Sequence, residues 1–126
     1  MQLVNDVANA PGAIGPYSQA VKSQGFLFCS GQLPINPASG KIEATDAEGQ
    51  AVQVFANIRA LLASQGLGMA NVVKATVFLQ DMGDFPKVNP LYAEAFEGHK
   101  PARSTVQVAK LPLGALIEIE VIAEGV

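Results

Sequence analysis

Apolar and polar positions alternate along this chain in two rhythms, and each sets an element. Over Leu116–Glu124 the rhythm is two-fold: Ile117, Ile119, Val121 and Ala123 fall on one side, Glu118, Glu120 and Glu124 largely on the other, which predicts a strand with one buried face. Ala47, Ala51, Val54, Phe55, Ile58, Leu61 and Leu62 instead recur at helical spacing and form one apolar stripe. Thr45-Asp46-Ala47-Glu48 before that stripe reads as a capping box, and Gly66 as the stop beyond it. A second helical face is carried by Phe85, Val88, Asn89, Tyr92 and Phe96. Pro86 suits an early helical position, but Pro90 disfavours a helical conformation at Asn89. The pattern therefore predicts one turn, then a helix capped by Asn89 with Pro90 first inside it.

The remaining runs are strand-like. Gln2–Val7 is a strand candidate, and Ser18–Ser23 and Phe26–Ser30 form a hairpin about Gln24-Gly25. Val72–Leu79 is rich in β-branched residues and reads as a buried strand, and Ser104–Val108 as another. Between them lie a Pro/Gly loop at Ala10–Pro16, a loop from Gly31 to Gly40, and turns at Asp81–Asp84 and Lys110–Gly114. The order is strand, hairpin, helix, strand, helix, two strands. This predicts one compact α+β domain over residues 1–126, with helices on one face of the sheet.

Composition adds an expectation about assembly. Hydrophobic residues make up 49% of the 126, and charged residues only 15%, against roughly 25% in an ordinary soluble protein. So few charges leave too little polar surface for a monomer of this size and imply a homo-oligomer. Net charge is −3, with no Lys/Arg cluster, so nucleic acid is not an expected partner. Cys29 and His99 are single, which leaves no internal disulfide and no Cys- or His-rich metal site. Cys29 reads as a small buried apolar side chain, and His99, after Gly98, as a solvent-facing loop residue. The opening residues lack a basic-then-apolar leader pattern and no stretch is apolar enough to span a membrane, so a cytoplasmic protein is expected.

Few residues carry candidate chemistry. Arg59 lies beside the helical stripe; Arg103, the other arginine, stands between Pro101 and a strand, at a fixed point. Its planar fork suits two-point contact with a carboxylate or phosphate, or else an ion pair. Glu118 and Glu120 share a strand face with Cβ atoms roughly 6.5–7 Å apart. They are either solvated or line a cleft where a carboxylate positions or deprotonates water. Tyr17 caps a pocket or packs half-buried. Ser30-Gly31 faces a ligand or forms a turn. Asn89 caps its helix or donates to a ligand. No phosphate loop, dinucleotide fingerprint, nucleophile elbow or catalytic triad is recognisable.

Six blocks together resemble one family. They are Ala10–Ala20 (APGAIGPYSQA), Ser30–Pro34 (SGQLP), Val73–Leu79 (VKATVFL), Pro101–Ser104 (PARS), Leu111-Pro112, and Ile117–Glu120 (IEIE), in order and at matching separations. In them the chain is similar to the RidA (reactive intermediate deaminase A, YjgF-type) family. The resemblance implies a chorismate-mutase-like α+β fold with two helices on a mixed sheet, assembled as a homotrimer with clefts between subunits. It implies hydrolysis of reactive 2-imino acids and their enamine tautomers (2-iminobutanoate, 2-iminopropanoate) to 2-oxo acids and ammonia. No cofactor, metal or covalent nucleophile is implied. By the same resemblance Arg103 binds the substrate carboxylate, the main chain at Thr105 and the side chain of Glu118 hold the attacking water, and Tyr17, Ser30, Gly31 and Asn89 line the pocket. Thr105 stands where many deaminase members have Cys, a swap that a main-chain role tolerates, and Glu97–Lys100 is shorter than the loop of several relatives. The alternatives are a non-catalytic module that binds small carboxylates and an RNA-cleaving translation inhibitor; the acidic balance counts against the second.

Overall fold

The computed structural model describes residues 1–126. Its strands and helices are β1 (Gln2–Val4), β2 (Ala20–Ser23), β3 (Phe26–Cys29), β4 (Ile35–Asn36), β5 (Lys41–Ile42), α1 (Ala47–Ala63), β6 (Val72–Leu79), α2 (Phe85–Phe96), β7 (Ala102–Gln107) and β8 (Ile117–Glu124). Six strands form one sheet in the order β1-β2-β3-β8-β6-β7, and β4 and β5 form a separate two-stranded ribbon. All neighbours in the large sheet are antiparallel except β6 and β7. A parallel pair needs a long crossover, and α2 supplies it.

Both helices lie on one face of this mixed sheet, as expected. β8 buries Ile117, Ile119, Val121 and Ala123, and β6 buries Val72, Ala75, Val77 and Leu79, towards the stripe of α1 and towards Val88, Tyr92 and Phe96 of α2. Phe55 meets the rings of Tyr92 and Phe96 edge-on, at 6.0 and 6.4 Å, which locks the two helices together.

The helix starts differ from expectation. Asp46, not Thr45, caps α1: its backbone is extended and its carboxylate accepts from the Gly49 amide at 2.8 Å. A carboxylate there satisfies an orphan amide and also meets the positive end of the helix dipole, which a threonine hydroxyl does not. Asn89 caps nothing, because α2 is continuous from Phe85 to Phe96 with Pro90 inside it. An interior proline costs about 3 kcal/mol, whereas burying Val88, Tyr92 and Phe96 returns about 1.5–3 kcal/mol each, so packing wins. Strand limits also move: β1 stops at Val4, β2 starts at Ala20, and β7 starts at Ala102, which puts Arg103 inside a strand. His99 is not solvent-facing: half-buried beside Phe96, its Nε2 lies 2.6 Å from the Val72 carbonyl and must carry the proton to donate there.

Sheet register sorts the chemistry. Ala75 and Val77 face Arg103 and Thr105 across β6–β7, so those two side chains share the helix side. Thr76 and Phe78 face Glu120 and Glu118 across β6–β8, so the two carboxylates take the opposite, helix-free side.

Candidate functional site

Two clusters emerge, one on each side of the sheet. The first is built where the chain leaves β3. Gln32 pairs with Ile119 outside the regular strands, its amide donating to the Ile119 carbonyl at 2.8 Å. This lays Gly31 over Glu118 so closely that a Cβ at Gly31 would overlap the carboxylate. Any larger residue there would have to push the Glu118 carboxylate aside. Ser30 beside it donates its hydroxyl proton to the Ser18 carbonyl at 2.6 Å, so its oxygen offers lone pairs to a ligand. Tyr17 is exposed, and its phenol oxygen accepts from the Ile14 amide at 3.2 Å, which folds the Pro/Gly loop around the ring. Tyr17, Ser30, Gly31, Ile14 and Leu113 border a largely apolar chamber of about 350 Å³.

Burial raises the proton affinity of Glu118 above that of an ordinary glutamate, and repulsion from Glu120 raises it further. A carboxylate shifted this way takes a proton from water more readily. The same face carries the partly exposed rings of Phe26 and Phe28.

The second cluster surrounds Arg103. Its Nη1 donates to the Asn89 side-chain oxygen at 2.8 Å. Its central carbon lies 4.6 Å from the centre of the Tyr92 ring and 5.2 Å from that of Phe85. Burial pushes the Tyr92 phenol up, and the Arg103 charge works against that shift. Asn89, Tyr92, His99, Lys100, Pro101 and Arg103 line a groove of about 380 Å³. Thr105, two residues along β7, is half-buried, and its hydroxyl is enclosed without a hydrogen-bond partner.

Tyr17, Ser30, Gly31 and Glu118 are thus together, as are Asn89, Arg103 and Thr105, but one chain does not bring the two groups into a single cleft. Cys29 is buried and its thiol is pushed up to about 12, which leaves no thiolate for chemistry.

Two supporting residues escaped the sequence reading. Gln19 is buried and pins the Pro/Gly loop, accepting from the Val7 amide at 3.0 Å and donating to the Pro11 carbonyl at 2.7 Å. Asn57, buried within the α1 stripe, donates to the Leu33 and Ile35 carbonyls at 3.0 and 2.9 Å and ties the next loop down. A polar amide interrupting an apolar stripe was the only available signal for Asn57.

Comparison with known proteins places the chain in a family. The family model Endoribonuclease L-PSP matches residues 7–125. A RutC family protein of Pyrococcus horikoshii is 52% identical over 115 residues, covering 91% of each chain. The chloroplastic Reactive Intermediate Deaminase A of Arabidopsis thaliana is 48% identical over 114 residues, covering 90% of this chain and 61% of that one. Among solved structures, the YjgF gene product of Escherichia coli superposes with a TM-score of 0.91 at 42% identity, over 98% of both chains. Escherichia coli TdcF with bound serine gives 0.91 at 40% identity, also over 98% of both. Fold and sequence agree: this chain belongs to the YjgF/RutC/Rid family, which includes reactive intermediate deaminases.

Proposed function

We propose that the protein hydrolyses 2-imino acids such as 2-iminobutanoate and 2-iminopropanoate, and their enamine tautomers, to 2-oxo acids and ammonia, at clefts shared between copies of the chain. The observation that carries this reading is the Arg103 guanidinium. It is held at one corner by Asn89 and backed by two rings, so the opposite edge suits two-point capture of a carboxylate. Glu118, Ser30 and Gly31 of a neighbouring copy complete the site. Water held by Glu118 and the main chain at Thr105 attacks the C=N carbon, and Glu118 takes one of its protons. Attack is on the protonated imine; Glu118 then returns its proton to the adduct nitrogen, and collapse expels ammonia while the remaining hydroxyl proton passes to solvent, giving the 2-oxo acid. The imine carbon is already electrophilic, so placing water about 3–3.5 Å away supplies most of what is needed. Tyr17 and the apolar chamber wall take the short side chain.

A homotrimer supplies such clefts, and the half-exposed Phe26, Phe28 and Val106 on the helix-free face suit burial against another copy. A second reading, a module that binds small carboxylates without turnover, is favoured by the serine bound to the related TdcF. RNA cleavage, suggested by the name of the family model, is disfavoured by a net charge of −3. No helix is long and apolar enough to cross a membrane.

The test couples a threonine dehydratase, as the source of 2-iminobutanoate, to this protein and follows 2-oxobutanoate. The expected result is acceleration over the spontaneous rate. Arg103→Ala and Arg103→Lys should each lose on the order of 100-fold of it, since lysine cannot reproduce the fork. Wild-type rates in both variants would remove the carboxylate clamp.

A further inference from the structure

Arg103 is the one cation here backed by aromatic faces, and its backing comes from three residues of a single helix. Phe85, Asn89 and Tyr92 recur at i, i+4 and i+7 of α2, which places them on one face of the helix. That face looks onto edge strand β7, where register turns Arg103 to the helix side. The two ring contacts, at 5.2 and 4.6 Å, back the guanidinium with aromatic surface. Asn89, by accepting from Nη1 at 2.8 Å, ties down one corner of it. The Nε–Nη2 edge lies across the guanidinium from Nη1, and no side chain of this protein hydrogen-bonds it. A helix broken at Asn89 would not keep Phe85 and Tyr92 in line, so the tolerated Pro90 and the alignment of the three residues belong together.

We propose that Phe85 and Tyr92 are positioning residues that, with Asn89, hold the Arg103 guanidinium flat and present its Nε–Nη2 edge to the ligand carboxylate. The inference rests on Arg103 being the carboxylate clamp, and it adds that α2 aims the clamp. Tyr92 also packs in the core against Phe55 and Phe96. Phe85 is half-buried at the start of α2, away from that stack, so it carries the cleaner test.

The experiment measures the dissociation constant of 2-oxobutanoate and of its uncharged amide, 2-oxobutanamide, on the oligomer as purified. Proton chemical shifts of the Arg103 side chain are recorded alongside. In wild type the Arg103 δ-protons should resonate upfield, shielded by the rings. Phe85→Leu and Tyr92→Leu should each reduce that shielding and weaken 2-oxobutanoate about tenfold, while leaving the amide within twofold. Tyr92→Phe should recover the affinity that Tyr92→Leu loses, because the ring and not the hydroxyl does the holding. If Tyr92→Leu does not fold, Phe85→Leu decides alone. Unchanged 2-oxobutanoate affinity in folded Phe85→Leu, or equal weakening of acid and amide, overturns the proposal. A wild type that binds 2-oxobutanoate with the expected pattern yet hydrolyses no imine removes the deaminase reading and leaves the positioning role standing.

Discussion

Glu118 illustrates how far one carboxylate is set by its surroundings. Folding buries it and places Glu120 two residues away, so its proton affinity in the folded chain exceeds that of a free glutamate. The folded state therefore binds a proton that the unfolded state has released, over the range above the ordinary value of 4.5. Stability from this group is complete below that value and is lost as pH rises through the folded one. Glu118→Gln should thus raise the thermal midpoint at pH 7 relative to wild type, with the gap closing towards pH 4. The same change should slow imine hydrolysis on the order of 100-fold while 2-oxobutanoate still binds. Melting curves across pH and the dehydratase-coupled assay read the two effects separately; loss of binding along with rate would give Glu118 a packing role. This residue and Arg103 both stood out as candidates in the sequence, Glu118 on a strand and Arg103 just before one, in a chain with few charges. Their partners did not: nothing local marks that Asn89, an apparent cap, reaches across to the guanidinium, or that Gln19 holds a loop.

Among the elements, those with long, regular periodicity were legible. The α1 stripe and the β8 alternation appear as expected because each buries one face over many residues. Of the two-residue strands, β4 sits inside what reads as a loop and β5 just beyond its end, since two residues cannot display alternation. Helix starts were misread for a different reason: several adjacent polar residues can cap, and only the backbone conformation selects one. Asp46→Ala should therefore cost about 1 kcal/mol in denaturant unfolding, and Thr45→Ala less than about 0.5 kcal/mol. The reverse order would restore the threonine cap. In α2 the proline rule is sound locally, but the burial of Val88, Tyr92 and Phe96 overrides it.

For the whole molecule, sheet order was not readable from the chain. β8, the last strand, inserts between β3 and β6, a choice made by long-range pairing that no local pattern encodes. That insertion places Glu118 beside Gly31 while β7 carries Arg103 away on the other side. Sedimentation at micromolar concentration should show a trimer, and a monomer would leave the two clusters with no means of meeting.

The opposite placement of Arg103 and Glu118 has a genetic consequence. On the proposed shared cleft, the variants Arg103→Ala and Glu118→Gln should complement one another when co-expressed, because a mixed oligomer would juxtapose an intact guanidinium from one chain with an intact carboxylate from the next. Random mixing in equal amounts restores roughly a quarter of the wild-type sites, whereas both changes in a single polypeptide restore none.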